Sequence, residues 1–281
     1  MRIGQIKTEA GLAAAVWEGE LARAVPGYTV ADLVRRSEAQ GVPFSQTAAR
    51  LASRHAEPHA PALPIVPPEV WACGCTYETS AAFRDAEHGT REGMYGYVYG
   101  HPRPEIFFKG TARVCVGPGQ SIGIRADSRF TAPEPELALV LGGNGNIVGY
   151  TLANDVSAWD IERENALYLP QSKIYTGCCA LGPVIVTADD LPDPYRLEMA
   201  CTITRNGAER FSGRVSTSQL HRKFEDLIAY LLRSNHVPAG TVLLTGTGIL
   251  VPEDTALAAG DVVSVRIPEI GELVNRAAVV E

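Results

Sequence analysis

The stretch APEPELALVLGG, residues 132–143, runs directly into NGNIVGYTLANDVSA, residues 144–158. Two apolar runs, 137–141 and 147–152, flank GGNGN, whose glycines and asparagines suit a tight turn, so a β-hairpin is expected. On a strand, side chains alternate between faces. Glu134 and Glu136 therefore share one face, and Pro135 between them marks a strand start or edge. Asp155 ends the return run 19 residues beyond Glu136. The hairpin brings it back toward the paired glutamates. Carboxylates held side by side repel, and they need a cation, a shared proton or water between them. Three of them without His or Cys form a hard-oxygen set, suited to Mg²⁺, Mn²⁺ or Ca²⁺ rather than zinc.

Working outward, Asn206-Gly207 sits between candidate strands at 197–204 and 209–215 and predicts a second hairpin. Leu220, Phe224, Leu227, Ile228 and Leu231 recur at helical spacing, which predicts an amphipathic helix over 216–233. Further strands are expected at 70–76, 105–109, 242–245, 262–267 and 273–280, with a short helix at 79–87. Strands outnumber helices and are joined largely by hairpins. The fold class is therefore α+β, mostly β, and a doubly wound parallel sheet is excluded. Near the N-terminus, Thr29 with Asp32 three residues on, and Gly41 at the end, frame a capped helix. Ser45 is expected to open a second one. The proline-dense AEPHAPALPIVPPEVW, residues 56–71, reads as extended. A boundary there divides the chain into a small N-terminal domain with linker, 1–65, and a main domain, 66–281.

The chain has 281 residues, 46% apolar and 20% charged, which is a globular composition. Its net charge of −7 disfavours a nucleic-acid-binding surface. No apolar run is long enough for a membrane helix. The opening MRIGQIKTEAG lacks an export signal's apolar core, so a cytoplasmic location is expected. The six cysteines, at 73, 75, 115, 178, 179 and 201, form no C-x-x-C pair, and reduced thiols are expected.

RPEIFFK (103–109), VGPG (116–119), PEPELALVLG (133–142), VGYTLANDVSA (148–158), QSKIYTG (171–177), LGPVIVT (181–187) and LLTGTG (243–248) together resemble the fumarylacetoacetate hydrolase family over residues 69–280. The resemblance implies a mixed β-roll with a small N-terminal domain, in a homodimer or homotetramer. It implies Glu134, Glu136 and Asp155 as ligands of Mg²⁺, with Mn²⁺ or Ca²⁺ as alternatives, and Lys173 beside the metal. Members that hydrolyse C–C bonds carry a His three positions after a Tyr. Here Tyr77 is followed by Ser80 at that place, so no base near neutral pKa stands there to activate water.

The match is to the sugar-acid dehydratases of that family. It implies loss of water from a 2-keto-3-deoxy sugar acid to give 2,5-dioxopentanoate or a close analogue. Lys173 either takes the C3 proton or stays charged and steadies the enolate. Glu78 or Glu105 protonates the leaving hydroxyl, and Thr247, Gly246, Arg103 and Lys109 bind substrate. The alternative is another metal-dependent reaction of the family: C–C hydrolysis, decarboxylation or tautomerisation of an oxo acid.

One departure is Trp159, which stands where the family pattern has Arg. Tryptophan has neither the charge nor the fork of donors. Either a nearby cation such as Arg163 or Arg84 compensates, or the substrate is less anionic, or the member is catalytically altered. Residues 83–101 are the least familiar stretch, expected as a lid that sets specificity. Tyr95, Tyr97 and Tyr99 there read either as a strand face or as a loop platform.

Overall fold

Strands Pro135–Leu141 and Ile147–Asp155 pair antiparallel, with Pro135 opposite Asn154 and Glu136 opposite Ala153. In the turn, Gly142 N–H donates to Asn146 O at 2.9 Å, and Gly145 takes a φ of 83° that its missing side chain permits. The structure is a computed structural model that describes residues 1–80, 82, 93–191 and 193–281.

The hairpin lies in the middle of an eleven-stranded mixed sheet. From one edge the order is Glu57–Pro58, Leu21–Val25, Gly11–Glu18, Arg2–Thr8, Cys179–Thr187, Ile147–Asp155, Pro135–Leu141, Thr241–Leu244, Val70–Gly74 and Glu105–Gly110. Cys115–Val116 joins Cys179–Thr187 off this path. A five-stranded sheet orders Ala208–Ser216, Glu198–Arg205, Val262–Ile267, Gly271–Val280 and Ser121–Arg125.

The central strand is covered on both sides, which is why ELALVL reads as an unbroken apolar run. Leu137, Leu139 and Leu141 enter a core built with Cys201, Ile203 and Val263. Ala138 and Val140 enter a second core with Val30, Leu33 and Val34 of the helix Val30–Gln40. Glu134 and Glu136 continue the even-numbered series. Leu139 is fully buried. Its truncation to Ala would cost about 2–5 kcal/mol.

The first helix has the expected ends. Thr29 and Asp32 make a reciprocal capping box, and Gly41 closes the helix in the left-handed region. The second helix, Phe44–Leu51, starts one residue earlier than expected: Pro43 fixes its entry, and the Ser45 hydroxyl instead donates to Asp189 Oδ2. Residues 1–65 pair with the remainder through Arg2 opposite Val186 and Ile3 opposite Ile185. Sheet and core thus run across the boundary drawn in the sequence.

The Asn206-Gly207 hairpin forms, with both residues at positive φ, as a two-residue turn between right-twisted strands requires. The helix expected over 216–233 is shorter, spanning Phe224–Leu231. Ser216 caps a separate 3-10 turn, Thr217–Gln219, and Leu220 is extended, so the periodicity crosses a break. Met94–Gly100 is a helix, neither strand face nor loop platform. Its Tyr95 is buried, Tyr97 stands 68% exposed against His101, and Tyr99 stacks on His221. Residues 83–92, with Arg84, lie outside the described residues, as does most of the helix expected at 79–87 beyond its first turn. All six cysteines are free thiols. Among the described residues no helix is long and apolar enough to cross a membrane.

Candidate active site

Asp155 N–H donates to Glu134 O at 2.9 Å where the hairpin strands end, and this closes the two carboxylate-bearing ends onto each other. Each of Glu134, Glu136 and Asp155 offers an oxygen within 4.8 Å of the others, and all three are buried. Burial, then the charges of Asp155 and Glu134, push the Glu136 carboxyl well above the usual range. The Gly246 N–H, 2.5 Å from Glu136 Oε2, opposes that rise. Gly246 adopts a φ of 92°, and a side chain there would strike Thr76, so a glycine is what lets this N–H reach the carboxylate.

Two buried lysines face the cluster. Lys173 Nζ donates to Glu134 Oε2 at 2.9 Å and Ser157 Oγ at 2.6 Å, with Asp155 Oδ2 at 3.5 Å and Glu162 Oε2 at 3.6 Å. Lys109 Nζ lies 2.5 Å from Asp155 Oδ1 and donates to the carbonyls of Val156 and Lys173. Burial alone would favour neutral Lys109, but the charge of Asp155, its hydrogen bond and the neighbouring Cys178 and Cys179 together outweigh burial and hold the ammonium above the usual lysine range. Alternation along Glu105–Gly110 puts Glu105, Phe107 and Lys109 on one face, and Phe107 lies beneath the Lys173 ammonium at 5.6 Å.

Trp159 sits inside this arrangement. Its indole Nε1–H donates to Glu134 Oε1 at 2.6 Å. The Arg163 guanidinium stacks on the Trp159 ring at 5.4 Å and pairs with Glu253 at 2.9 Å. The indole therefore supplies one neutral donor to the cluster, and the nearby arginine lies against the ring.

The charges decide what fits. Glu134, Glu136, Asp155 and Glu162 face Lys109 and Lys173, all buried. A divalent cation among Glu134, Glu136 and Asp155 would offset the repulsion that raises the Glu136 carboxyl. Oxygen donors and the absence of His or Cys suit a hard ion. Tyr77 Oη, buried near Glu136, also has no hydrogen-bond partner among the described residues.

A cavity of about 420 Å³ meets the edge of the cluster at Glu162, which lies 3.6 Å from Lys173; Tyr95, Tyr97, His101, Arg103 and Glu105 are among its other lining residues. Arg103 is exposed, 5.6 Å from the Tyr230 ring. Of the expected substrate and acid–base residues, Glu105 and Arg103 line this cavity. Glu78 is exposed, and its charge acts on Tyr99. Lys109 is bound to Asp155 and to carbonyls, and the Thr247 hydroxyl exchanges hydrogen bonds with Ile249 backbone at 3.2 Å. Glu162 and Ser157 escaped the sequence reading. The signal for Glu162 was present: WDIERE is a helix in which Trp159 and Glu162, three apart, share the buried face.

Residues 96–278 match the fumarylacetoacetate (FAA) hydrolase C-terminal model. The chain belongs to the fumarylacetoacetate hydrolase family. It is 50% identical over 215 residues to 2-dehydro-3-deoxy-D-arabinonate dehydratase of Saccharolobus solfataricus, covering 75% of this chain and 72% of that one. It is 45% identical over 213 residues to a probable 2-keto-3-deoxyxylonate dehydratase of Haloferax volcanii, covering 76% and 73%. Its fold superposes on 2-keto-3-deoxy-D-arabinonate dehydratase complexed with magnesium and 2,5-dioxopentanoate with a TM-score of 0.84, at 38% identity and 100% coverage of both chains.

Proposed function

We propose that this protein is a magnesium-dependent hydro-lyase that removes water from a 2-keto-3-deoxy sugar acid, yielding 2,5-dioxopentanoate. The observation that carries this reading is the buried cluster of Glu134, Glu136 and Asp155 with Lys173 beside it, next to a cavity bearing a further carboxyl, Glu105. The substrates in the relatives' names, and the 2,5-dioxopentanoate bound in the superposed dehydratase, supply the carbon skeleton.

Glu134, Glu136 and Asp155 would hold the ion. When bound, it would polarise the 2-keto group and so acidify C3, and its charge would favour the neutral amine of Lys173 beside it. Lys173 Nζ takes the C3 proton. Glu105, on the cavity wall, gives a proton to the C4 hydroxyl as it leaves. One proton and one hydroxide are lost from the substrate, which balances as water and leaves a C3–C4 double bond. A proton then leaves C5 as one is added at C3, and the resulting C5 enol ketonises, its hydroxyl proton leaving as C4 gains one, to give the aldehyde. Arg103 at the cavity wall receives the substrate carboxylate. Lys109 keeps Asp155 aimed, Trp159 keeps Glu134 aimed, and Gly246 does the same for Glu136.

The test is turnover of 2-keto-3-deoxy-pentonate by chelator-stripped protein with and without added Mg²⁺. Aldehyde product only with the ion supports the reading. An unchanged rate in chelator, or no turnover of any such acid with the ion present, removes it. A cytoplasmic homodimer or homotetramer belongs to the same proposal and is tested by fractionation and light scattering.

A further inference from the structure

Gly74 ends its strand directly opposite Glu105 in the antiparallel pair Val70–Gly74 and Glu105–Gly110. The Glu105 carboxyl lies against the Gly74 α-carbon: a methyl group added there would overlap Oε2 and stand 2.5 Å from Cδ. Any residue but glycine at 74 displaces that carboxyl or is itself displaced.

The next residue is equally specific. Cys75 has a φ of 52°, in the left-handed region that non-glycine residues other than Asn and Asp rarely adopt. That turn carries its thiol back to Glu105, and Sγ donates to Oε2 at 3.4 Å. The side chain is 2% exposed and packs with Tyr95, Met94, Val98 and Tyr99, so the unfavourable backbone is held by the helix that walls the cavity. A thiol is a neutral, weak donor. It orients a carboxyl without strongly favouring the charged form, unlike an ammonium or a cluster of N–H groups.

We propose that Gly74 and Cys75 are positioning residues that seat the Glu105 carboxyl against the cavity, the glycine by leaving space and the thiol by fixing Oε2. This rests on the reading of Glu105 as the proton donor to the leaving hydroxyl. Neither residue touches substrate or ion.

The experiment uses the magnesium-loaded enzyme and 2-keto-3-deoxy-pentonate, with Gly74→Ala, Cys75→Ala, Cys75→Ser, Glu105→Gln and the double variant Gly74→Ala/Glu105→Gln. Gly74→Ala and Cys75→Ala are expected to lower kcat by about 10- to 100-fold, the scale of a misplaced reacting group, with KM and Mg²⁺ affinity within about twofold. Cys75→Ser, which keeps a donor, recovers most of kcat. The double variant is no slower than Glu105→Gln alone, because the residues act through one carboxyl. Wild-type turnover by both Gly74→Ala and Cys75→Ala, with Glu105→Gln inactive, overturns the positioning role and leaves the dehydratase reading standing. Fully additive losses in the double variant overturn it too. Wild-type turnover by Glu105→Gln removes the acid role itself, and the positioning role with it. Should Gly74→Ala not fold, the Cys75→Ala and Cys75→Ser pair decides: loss with rescue supports the proposal, and no loss overturns it.

Discussion

Trp159 Nε1 donates to Glu134 Oε1 at 2.6 Å, while Lys173 occupies the other oxygen of the same carboxylate at 2.9 Å. Glu134 is thereby fixed from two sides by one neutral and one charged donor. Trp159→Phe keeps the ring against Phe130 and Arg163 but removes the N–H. Loss of such an outer partner weakens metal binding by about 10- to 100-fold. Titration calorimetry with Mg²⁺ measures it, and unchanged affinity would show that the indole only packs.

Lys109→Met leaves Asp155 without its closest cation. Removing one partner of a buried pair costs about 3–5 kcal/mol, and Lys173, 3.5 Å from Asp155 Oδ2, compensates the remaining charge only in part because it also serves Glu134. Urea unfolding of the metal-free protein should register a loss of that order. Double replacement, Lys109→Met with Asp155→Asn, should be less destabilised than Lys109→Met alone, since no bare charge is left.

Arg222 donates to the carbonyls of Val98, Tyr99, His101 and Pro102, and so ties the end of the cavity helix to the segment before Phe224. Arg222→Ala should loosen residues 98–102 and raise KM by about tenfold, the equivalent of one charged hydrogen bond, with kcat largely kept. Faster amide exchange confined to residues 94–103 would locate the effect. A fall in kcat at constant KM would contradict it.

Asp261 reports on acid stability away from the site. Burial raises its pKa, but Arg205, bonded through Nε at 2.7 Å, and the Ala258 N–H together lower it below the ordinary value. A depressed carboxyl contributes stability above its unfolded pKa of about 3.9, and that contribution fades as pH falls toward the folded value. Asp261→Asn should flatten the decline in urea midpoint below about pH 4 relative to the wild type. An identical slope in both proteins would show that Asp261 titrates normally.

Much of this was legible beforehand because local rules governed it. The E-x-E pair, the GGNGN turn and the Thr29 capping box each depend on a few neighbouring residues, and each formed as their spacing demands. The contacts that escaped are long-range. Lys109 meets Asp155 across 46 positions, and Trp159 meets Glu134 across 25, so nothing in either neighbourhood announces the pairing. RPEIFFK looked like a substrate-binding strand, whereas Glu105 and Lys109 share one face four residues apart: Glu105, at the strand's start, lines the cavity, and Lys109 lies deeper against Asp155. Period alone also misled at 216–233, where Leu220 keeps helical spacing across the non-helical residues 220–223 that separate the 3-10 turn from the helix.

One ammonium, that of Lys109, grips Asp155, the Val156 carbonyl and the carbonyl of Lys173. It is therefore a rivet between the acidic hairpin and the short helix that presents the second lysine. Anyone transplanting the three carboxylates into another scaffold must carry this rivet along, since it joins the hairpin end to the backbone of the lysine-bearing turn.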